Sequence, residues 1–185
     1  MIGEILDDGK ARMEEVINRT KKAFASVRTG RANPALLDRI VVSYYGTPTP
    51  LNQMASVTVP EPRLLVITPW DKNSIKDIEK AILASDLGLT PNNDGTVIRL
   101  AIPPLTEERR KDLVRLVRKD AEDFRVAVRN IRRDLNETAK KLEKDGDISE
   151  DDLRRAQDDI QKLTDRYIEQ IDELLKAKEK EIMEV

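Results

Sequence analysis

The chain has 185 residues, of which 37% are charged and 3% aromatic, a balance that favours long water-facing helices over a thick globular core. It contains no cysteine and no histidine, which excludes disulfides, thiol chemistry and the commonest general base and metal ligand. The net charge of −2 is unevenly spread, because residues 105–145 carry 13 basic and 10 acidic groups whereas residues 146–185 carry seven basic and 13 acidic. Without a signal-peptide pattern or an apolar run of about 18 residues, the sequence favours a soluble cytoplasmic protein that does not bind membranes.

In chain order, the first predicted element is a helix within residues 1–30, whose apolar residues recur every three or four positions. All nine prolines then fall between Pro34 and Pro104, which confines long helices to the two ends of the chain. The segment between them is predicted to hold a helix at 73–88, capped by Gly88, and four strands. The predicted strands cover residues 39–45, 55–60, 63–68 and 96–103.

Two further helices are predicted after the prolines. Thr106 is expected to cap a helix of roughly 38 residues, near 57 Å long at about 1.5 Å per residue. Its apolar heptad seam is interrupted near Asp120 and Thr138. The last helix follows a turn in which Ser149 and Asp152 approximate a capping box. Since each of the three long helices has one apolar stripe, the stripes can be buried only against one another, which predicts a three-helix bundle.

The predicted fold is therefore α+β, an elongated antiparallel three-helix bundle with an inserted small β/α/β domain. The bundle takes residues 1–30 and 105–185, and the inserted domain takes residues 31–104. Two stretches of chain, near 29–32 and 102–106, would join the two parts side by side. Such a double connection permits hinge motion.

No catalytic residue, cofactor site or metal site is predicted. The acidic segment 145–156 lacks the glycine and the final glutamate of a calcium-binding loop, and no glycine-rich nucleotide loop is present. Trp70, Tyr44 and Tyr45 could stack on nucleic-acid bases, but they lie at strand ends of a small domain that is short of core material. We therefore expect these aromatic side chains to pack in the core of that domain.

The segment RVAVRNIRRD (125–134) is unusual because it places four arginines beside the apolar seam. With a rotation of about 100° per residue, four basic residues at heptad spacing align along one flank of the helix: Lys111, Arg118, Arg125 and Arg132. Arg129 lies beside this row. One interpretation is a solvated face whose arginines pair with acids of the last helix, such as Asp158 or Asp165. The other is a ridge that binds phosphates of structured RNA, because arginine suits bidentate phosphate contacts and few aromatic residues accompany it.

The sequence also resembles the ribosome recycling factor family from end to end. The resemblance rests on five segments: VRTGRANPALL (27–37), YYGTPTPLNQMASVTVPEPR (44–63), SDLGL (85–89), PPLTEERRKDLV (103–114) and VRNIRRD (128–134). One departure is Thr90, where the family usually carries Asn. It lies in a predicted surface turn of the inserted domain.

The resemblance implies an L-shaped, two-domain factor that binds the large ribosomal subunit through its 23S rRNA. With elongation factor G and GTP, the factor would split post-termination ribosomes into subunits and release mRNA and tRNA. It would be a non-enzymatic monomer without a cofactor, because GTP hydrolysis would belong to elongation factor G. The implied rRNA contacts are Arg28, Arg31, Arg110, Arg129 and Arg132. The implied hinge residues are Gly30, Arg31, Pro103 and Pro104.

Two other functions fit the residues alone. A structural adaptor would bind helices of other proteins, and it would expose apolar patches and oligomerise. An RNA chaperone would bind unrelated RNA duplexes with comparable affinity, because its contacts would be made to phosphates.

Overall fold

The computed structural model describes residues 1–184, which divide into two compact units, residues 1–28 with 107–184 and residues 29–106. The α-helices are α1 (Ile2–Ala25), α2 (Ile75–Ala84), α3 (Glu107–Lys144) and α4 (Glu150–Met183). The strands are β1 (Val41–Tyr44), β2 (Thr47–Pro50), β3 (Ala55–Glu61), β4 (Leu64–Pro69), β5 (Pro91–Asn93) and β6 (Ile98–Ala101). Short 3-10 turns cover Pro34–Leu37, Leu51–Gln53 and Lys72–Ser74.

The first unit is a three-helix bundle made of α1, α3 and α4. Two ion pairs between α3 and α4 define the relative direction of these helices. Arg118 pairs with Glu179, and Arg125 pairs with Asp172. From the first pair to the second, the residue number rises by seven on α3 and falls by seven on α4. These two helices are therefore antiparallel. The α+β fold with its antiparallel three-helix bundle is confirmed, and α3 has the 38 residues expected for the second long helix.

The apolar seam of α3 is continuous, contrary to the expected breaks near Asp120 and Thr138. Ala121 and Ala139, each next to a predicted break, are fully buried. Alanine weighs little in an apolar pattern, but its small side chain lets neighbouring helices come close. The seam thus uses alanine at the two places where the sequence pattern predicts a break.

Gly9 is another small residue at a helix contact, on the buried face of α1. A Cβ atom built there would overlap the Cδ1 atom of Leu135 on α3 and would lie 3.3 Å from Cδ2 of Leu163 on α4. The three helices therefore meet at this level through a position that has no side chain. Close approach of this kind needs glycine even inside a helix, where glycine is otherwise unfavourable.

The connection between α3 and α4 is a well-satisfied turn. Gly146 has a φ of +81°, and amide hydrogens from Gly146 and Asp147 are donated to the carbonyls of Glu143 and Leu142, the pattern of a Schellman motif. The Ser149 hydroxyl then accepts from the Asp152 amide at 3.0 Å, and the Asp152 carboxylate accepts from the Ser149 amide at 3.1 Å. The predicted capping box is confirmed, and the hydrogen bond from the Ser149 amide to the Asp152 carboxylate lowers the pKa of Asp152.

Residues 29–106 form two antiparallel sheets with α2. The strands β1 and β2 make a hairpin, and the other four strands are ordered β3-β4-β6-β5. Their core is aliphatic, with Leu65, Ile67, Ile98 and Leu100 fully buried together with Ile78 of α2. The chain here thus has its own hydrophobic core, as a separately folding unit requires.

The structure adds two strands, β2 and β5, to the four whose positions the sequence predicts. Both are short edge strands with prolines, at Pro48 and Pro50 in β2 and at Pro91 in β5. Proline has no amide hydrogen to donate to a neighbouring strand, so within sheets it is tolerated at an edge. Since proline argues against a strand in a sequence, these two strands were not predicted. The helix prediction also overran, since α2 ends at Ala84 and Gly88 is not its cap.

The β1–β2 hairpin carries one exposed aromatic side chain, that of Tyr45, at its tip. Tyr45 and Gly46 have φ values of +48° and +78°, the conformation of a two-residue hairpin turn. The Tyr44 hydroxyl donates to the Asp71 carboxylate at 2.8 Å, and the two tyrosine rings lie edge to face with centroids 4.5 Å apart. Tyr45 is 75% exposed and Trp70 is 67% exposed. The expectation that these two residues fill the core is therefore wrong.

Candidate functional site

The most distinctive surface of the bundle is a row of basic side chains on α3, which we call the basic stripe. Its members lie within about 60° of Arg129 around the helix axis. They are Lys111, Arg115, Arg118, Arg125, Arg129, Arg132, Arg133 and Lys140. Between Lys111 and Lys140, the same sector of α3 contains a single carboxylate, that of Glu122. On α3 itself, the stripe thus has eight basic residues and one acid.

Two arginines of the stripe are turned towards α4 and bind its acids. Arg118 Nε donates to Glu179 Oε1 at 2.6 Å, and this hydrogen bond raises the pKa of Arg118. Arg125 is only 20% exposed and donates from Nε to Asp172 Oδ1 at 2.8 Å. Burial opposes the charge of Arg125, but its hydrogen bonds to carboxylates outweigh burial and raise its pKa. The pairing interpretation therefore holds at these two positions, with acids other than the two suggested by the sequence.

Arg129 is held differently, by an acid on its own helix. Its Nη1 donates to Oε1 of Glu122 at 3.1 Å, while Arg125 Nη1 donates to the other oxygen of the same carboxylate at 3.0 Å. The hydrogen bonds from Arg125 and Arg129 lower the pKa of Glu122, so the carboxylate is ionised at neutral pH. The Arg129 side chain remains 42% exposed. It is thus oriented by one contact and still accessible from solvent.

Arg132 contacts α4 through an amide instead of an acid. Its Nη1 donates to Oε1 of Gln161 at 3.3 Å, and Gln161 Nε2 donates to Oδ1 of Asp165 at 2.8 Å. Asp165, one of the acids suggested as a direct partner, therefore acts through Gln161. Arg133, next along the chain, is exposed on the same helix.

The remaining predicted RNA contacts lie elsewhere. Arg110 is on α3, 22 residues before Arg132, which corresponds to about 33 Å along the helix. Arg28 follows the end of α1 by three residues, and Arg31 belongs to the unit of residues 29–106. Of the five predicted residues, the structure brings Arg129 and Arg132 together, one turn apart.

The predicted hinge residues lie side by side within the unit of residues 29–106. Gly30 has a φ of +78°, and a Cβ atom built on it would lie 3.4 Å from Leu105 Cγ and 3.9 Å from the carbonyl oxygen of Pro103. The chain next to each hinge is hydrogen-bonded to the turn between β3 and β4. The Ala32 amide donates to the Pro62 carbonyl, and the Ile102 amide donates to the Arg63 carbonyl. The two connecting stretches therefore run next to each other.

Sequence reasoning missed Glu122, although a signal for it was present. It is the only acid in the basic stripe, and both arginines that bind it lie three and seven residues further along the helix. The three residues also line one side of an open cleft of about 420 Å³ between α3 and α4. Within residues 1–184, no group of three or more acidic side chains is arranged to hold a metal ion, and no helix is both long and apolar enough to cross a membrane.

The fold and site together define an α+β protein whose helical bundle is interrupted by a sheet unit and carries a basic stripe. A sequence profile described as ribosome recycling factor matches residues 20–183. The ribosome-recycling factor of Shouchella clausii is 66% identical over 185 residues, and that of Bacillus subtilis is 60% identical, each comparison covering 100% of both chains. The chain belongs to the ribosome recycling factor family.

Solved structures agree with this assignment. A solution structure of the ribosome recycling factor has a TM-score of 0.78 and 45% identity, and it covers 100% of this chain and 98% of the other. A second structure gives models for the T. thermophilus ribosome recycling factor and the E. coli elongation factor G bound to the E. coli post-termination complex. Its matching chain has a TM-score of 0.67 and 50% identity, with 100% of both chains covered.

Proposed function

We propose that this protein recycles ribosomes after translation termination. It binds the post-termination ribosome and, with elongation factor G and GTP, promotes splitting into subunits and release of mRNA and tRNA. The observation that carries the proposal is the end-to-end similarity to a structural relative, 50% identical, that is described together with elongation factor G and the post-termination complex. GTP hydrolysis belongs to elongation factor G in this proposal, so the chain itself is a non-enzymatic factor without a cofactor. The proposal also places it in the cytoplasm as a monomer.

In this proposal the bundle, residues 1–30 and 105–185, is the ribosome-binding domain and contacts 23S rRNA of the large subunit. Arg129 and Arg132, which the family resemblance implies as rRNA contacts, are the central anchors. Unlike Arg118 and Arg125, they have no carboxylate of α4 as a direct partner among residues 1–184. Their guanidinium groups suit phosphate oxygens geometrically. The further proposed contacts are Arg28 and Arg110 in the bundle, and Arg31 at the start of the inserted domain.

The inserted domain, residues 31–104, is the part on which elongation factor G acts, and it pivots at Gly30, Arg31, Pro103 and Pro104. Two observations support a pivot there. The connecting stretches at Gly30 and Pro103 run next to each other, and Gly30 adopts a left-handed φ that other residues enter only at a cost. Two parallel connections can flex together about one axis, whereas two distant ones would resist rotation.

Splitting of purified post-termination ribosomes, followed by light scattering, tests the proposed function. Subunits should separate only when this protein, elongation factor G and GTP are all present. Separation that needs no GTP, or that proceeds equally well without this protein, would contradict the proposal.

The proposed anchor is tested by binding to purified large ribosomal subunits over a salt series. In an Arg129→Ala/Arg132→Ala variant, each lost phosphate contact should flatten the slope of log K against log salt by roughly 0.7–0.9. The matched control is Arg154→Ala/Arg155→Ala, which removes the same charge from exposed positions on α4. If both variants change the slope equally, the stripe acts only through net charge and the assigned contacts are wrong. Circular dichroism checks that each variant keeps its helices.

A further inference from the structure

We propose that Glu122 is a positioning residue for ribosomal RNA binding, which presets the guanidinium group of Arg129 by linking it to the fixed side chain of Arg125. The proposal rests on the proposed function, since it concerns how the same stripe recognises RNA. It assigns a positive role in RNA binding to a side chain whose own charge repels phosphate.

The contacts form a chain that begins on α4 and ends at the exposed edge of α3. Asp172 holds Arg125 through two nitrogens, Nε at 2.8 Å and Nη2 at 2.7 Å, and Arg125 is mostly buried. Arg125 in turn donates from Nη1 to Glu122. The second oxygen of Glu122 then accepts from Arg129. The position of an exposed guanidinium is thereby determined by an ion pair between two helices.

This arrangement leaves Arg129 prepared for a phosphate. Within residues 1–184 only its Nη1 is engaged, so Nε and Nη2 can donate to a ligand. An arginine side chain that is not held in place loses rotamer freedom when it binds a phosphate, and this loss weakens binding. Glu122 removes part of that cost before RNA arrives. Since its charge is shared by two guanidinium groups, it also presents little negative field to the RNA.

If only net charge mattered, removing Glu122 would strengthen RNA binding, which is the opposite of what the positioning role predicts. Glu122 is the only carboxylate in this sector of the stripe, so its removal makes the surface more positive and should tighten binding to any RNA. If Glu122 acts by positioning, its removal instead weakens binding to the intended target while general RNA affinity stays or rises. The two ideas differ in sign, which makes them separable.

The experiment compares Glu122→Ala and Glu122→Gln with wild type, for binding to purified large ribosomal subunits and to an unrelated RNA duplex at matched ionic strength. Glu122→Ala should bind large subunits about three-fold to ten-fold more weakly, the range expected for one newly flexible side chain. The affinity of Glu122→Gln for large subunits should lie between those of wild type and Glu122→Ala, because the glutamine amide oxygen can still accept a hydrogen bond from one of the two arginines. Affinity for the duplex should be unchanged or up to about five-fold tighter, as for one exposed charge.

Asp123→Asn is the matched control, because it removes one charge from the neighbouring exposed position, which lies outside the stripe. It should shift both affinities in the same direction. A Glu122→Ala variant that binds large subunits as tightly as wild type, or more tightly, would overturn the inference.

The Arg129→Ala/Arg132→Ala variant distinguishes a wrong role for Glu122 from a wrong assignment of the ribosome-binding surface. If that variant loses affinity while Glu122→Ala does not, the arginines still anchor and only the role of Glu122 is wrong. If neither variant loses affinity, the stripe is not the anchor. Thermal unfolding checks stability, and a purely structural role for Glu122 would lower both affinities together without changing their ratio.

Discussion

Replacing Gly9 with alanine tests how closely the bundle is packed. The added methyl group would enter the space of Leu135 Cδ1 and lie 3.3 Å from Leu163 Cδ2. Both leucines are buried, so neither side chain can swing into solvent to make room. We therefore expect Gly9→Ala to destabilise the bundle, although alanine is the better helix former.

The magnitude follows from two opposing effects. Alanine in place of glycine stabilises a helix interior by about 0.8–1 kcal/mol. Overpacking of a well-filled core costs typically about 1–3 kcal/mol. The net change for Gly9→Ala should therefore lie between about zero and a loss of 2 kcal/mol in the free energy of unfolding. Urea unfolding followed by circular dichroism at the helix band measures it.

Gly3 provides the matched control on the same helix, because a Cβ atom built there meets nothing within 4 Å. Gly3→Ala should be neutral or stabilising, so the difference between the two variants isolates the steric cost. In a Leu135→Ala background the overlap is removed, and Gly9→Ala should then stabilise as well. If Gly9→Ala and Gly3→Ala stabilise wild type equally, α1 does not approach its neighbours as closely as described.

Three further changes have expected outcomes. Gly30→Ala should lower the thermal stability of the unit of residues 29–106, by about 1–2 kcal/mol for a left-handed φ, as measured by calorimetry. Ser149→Ala should lower the free energy of unfolding, measured in urea, by about 0.5–2 kcal/mol, because the capping box is lost. The control is Ser26→Ala, which leaves that capping box intact. Backbone hydrogen bonds from Val97 and Thr96, with a further one from Arg99, lower the pKa of Asp94 to about 2 from 3.8. Asp94 therefore stabilises the fold above its unfolded pKa and loses this effect as pH falls towards 2, so the stability gap between wild type and Asp94→Asn should narrow from pH 7 to pH 3. A gap that is constant with pH would assign the effect to something other than this carboxylate.

The long helices were predictable because their signals are local and repeated. Three-residue and four-residue apolar spacing, proline exclusion and the capping box at Ser149 each act within a few residues of sequence. The edge strands β2 and β5 were not predictable, because prolines in them carry the opposite local signal. Tyr45 and Trp70 were misassigned since residue type suggests burial, whereas only the completed aliphatic core determines whether space remains for them.

The candidate site was predictable in outline only. Helical periodicity places Arg129 and Arg132 on one surface, but it does not determine which acids they meet. The position of α3 along the axis of α4 decides these pairs, so that Arg118 binds Glu179 and Arg125 binds Asp172. That position depends on packing along the whole length of both helices. It is a tertiary property. Whether an arginine becomes a structural ion pair or an accessible cation is therefore decided after the helices have docked.

The bundle is assembled from residues on both sides of the unit of residues 29–106, and this order has a consequence for its synthesis. Residues 29–106 are contiguous and have their own core, so they can fold before the chain is finished. The helix α1 is made first but must keep its apolar stripe uncovered until α3 and α4 follow. Ile182, in the last turn of α4, is fully buried, and Asp172 of α4 fixes Arg125. The proposed ribosome-binding surface is thus completed only after α4 has been made, and a nascent copy lacks it until then.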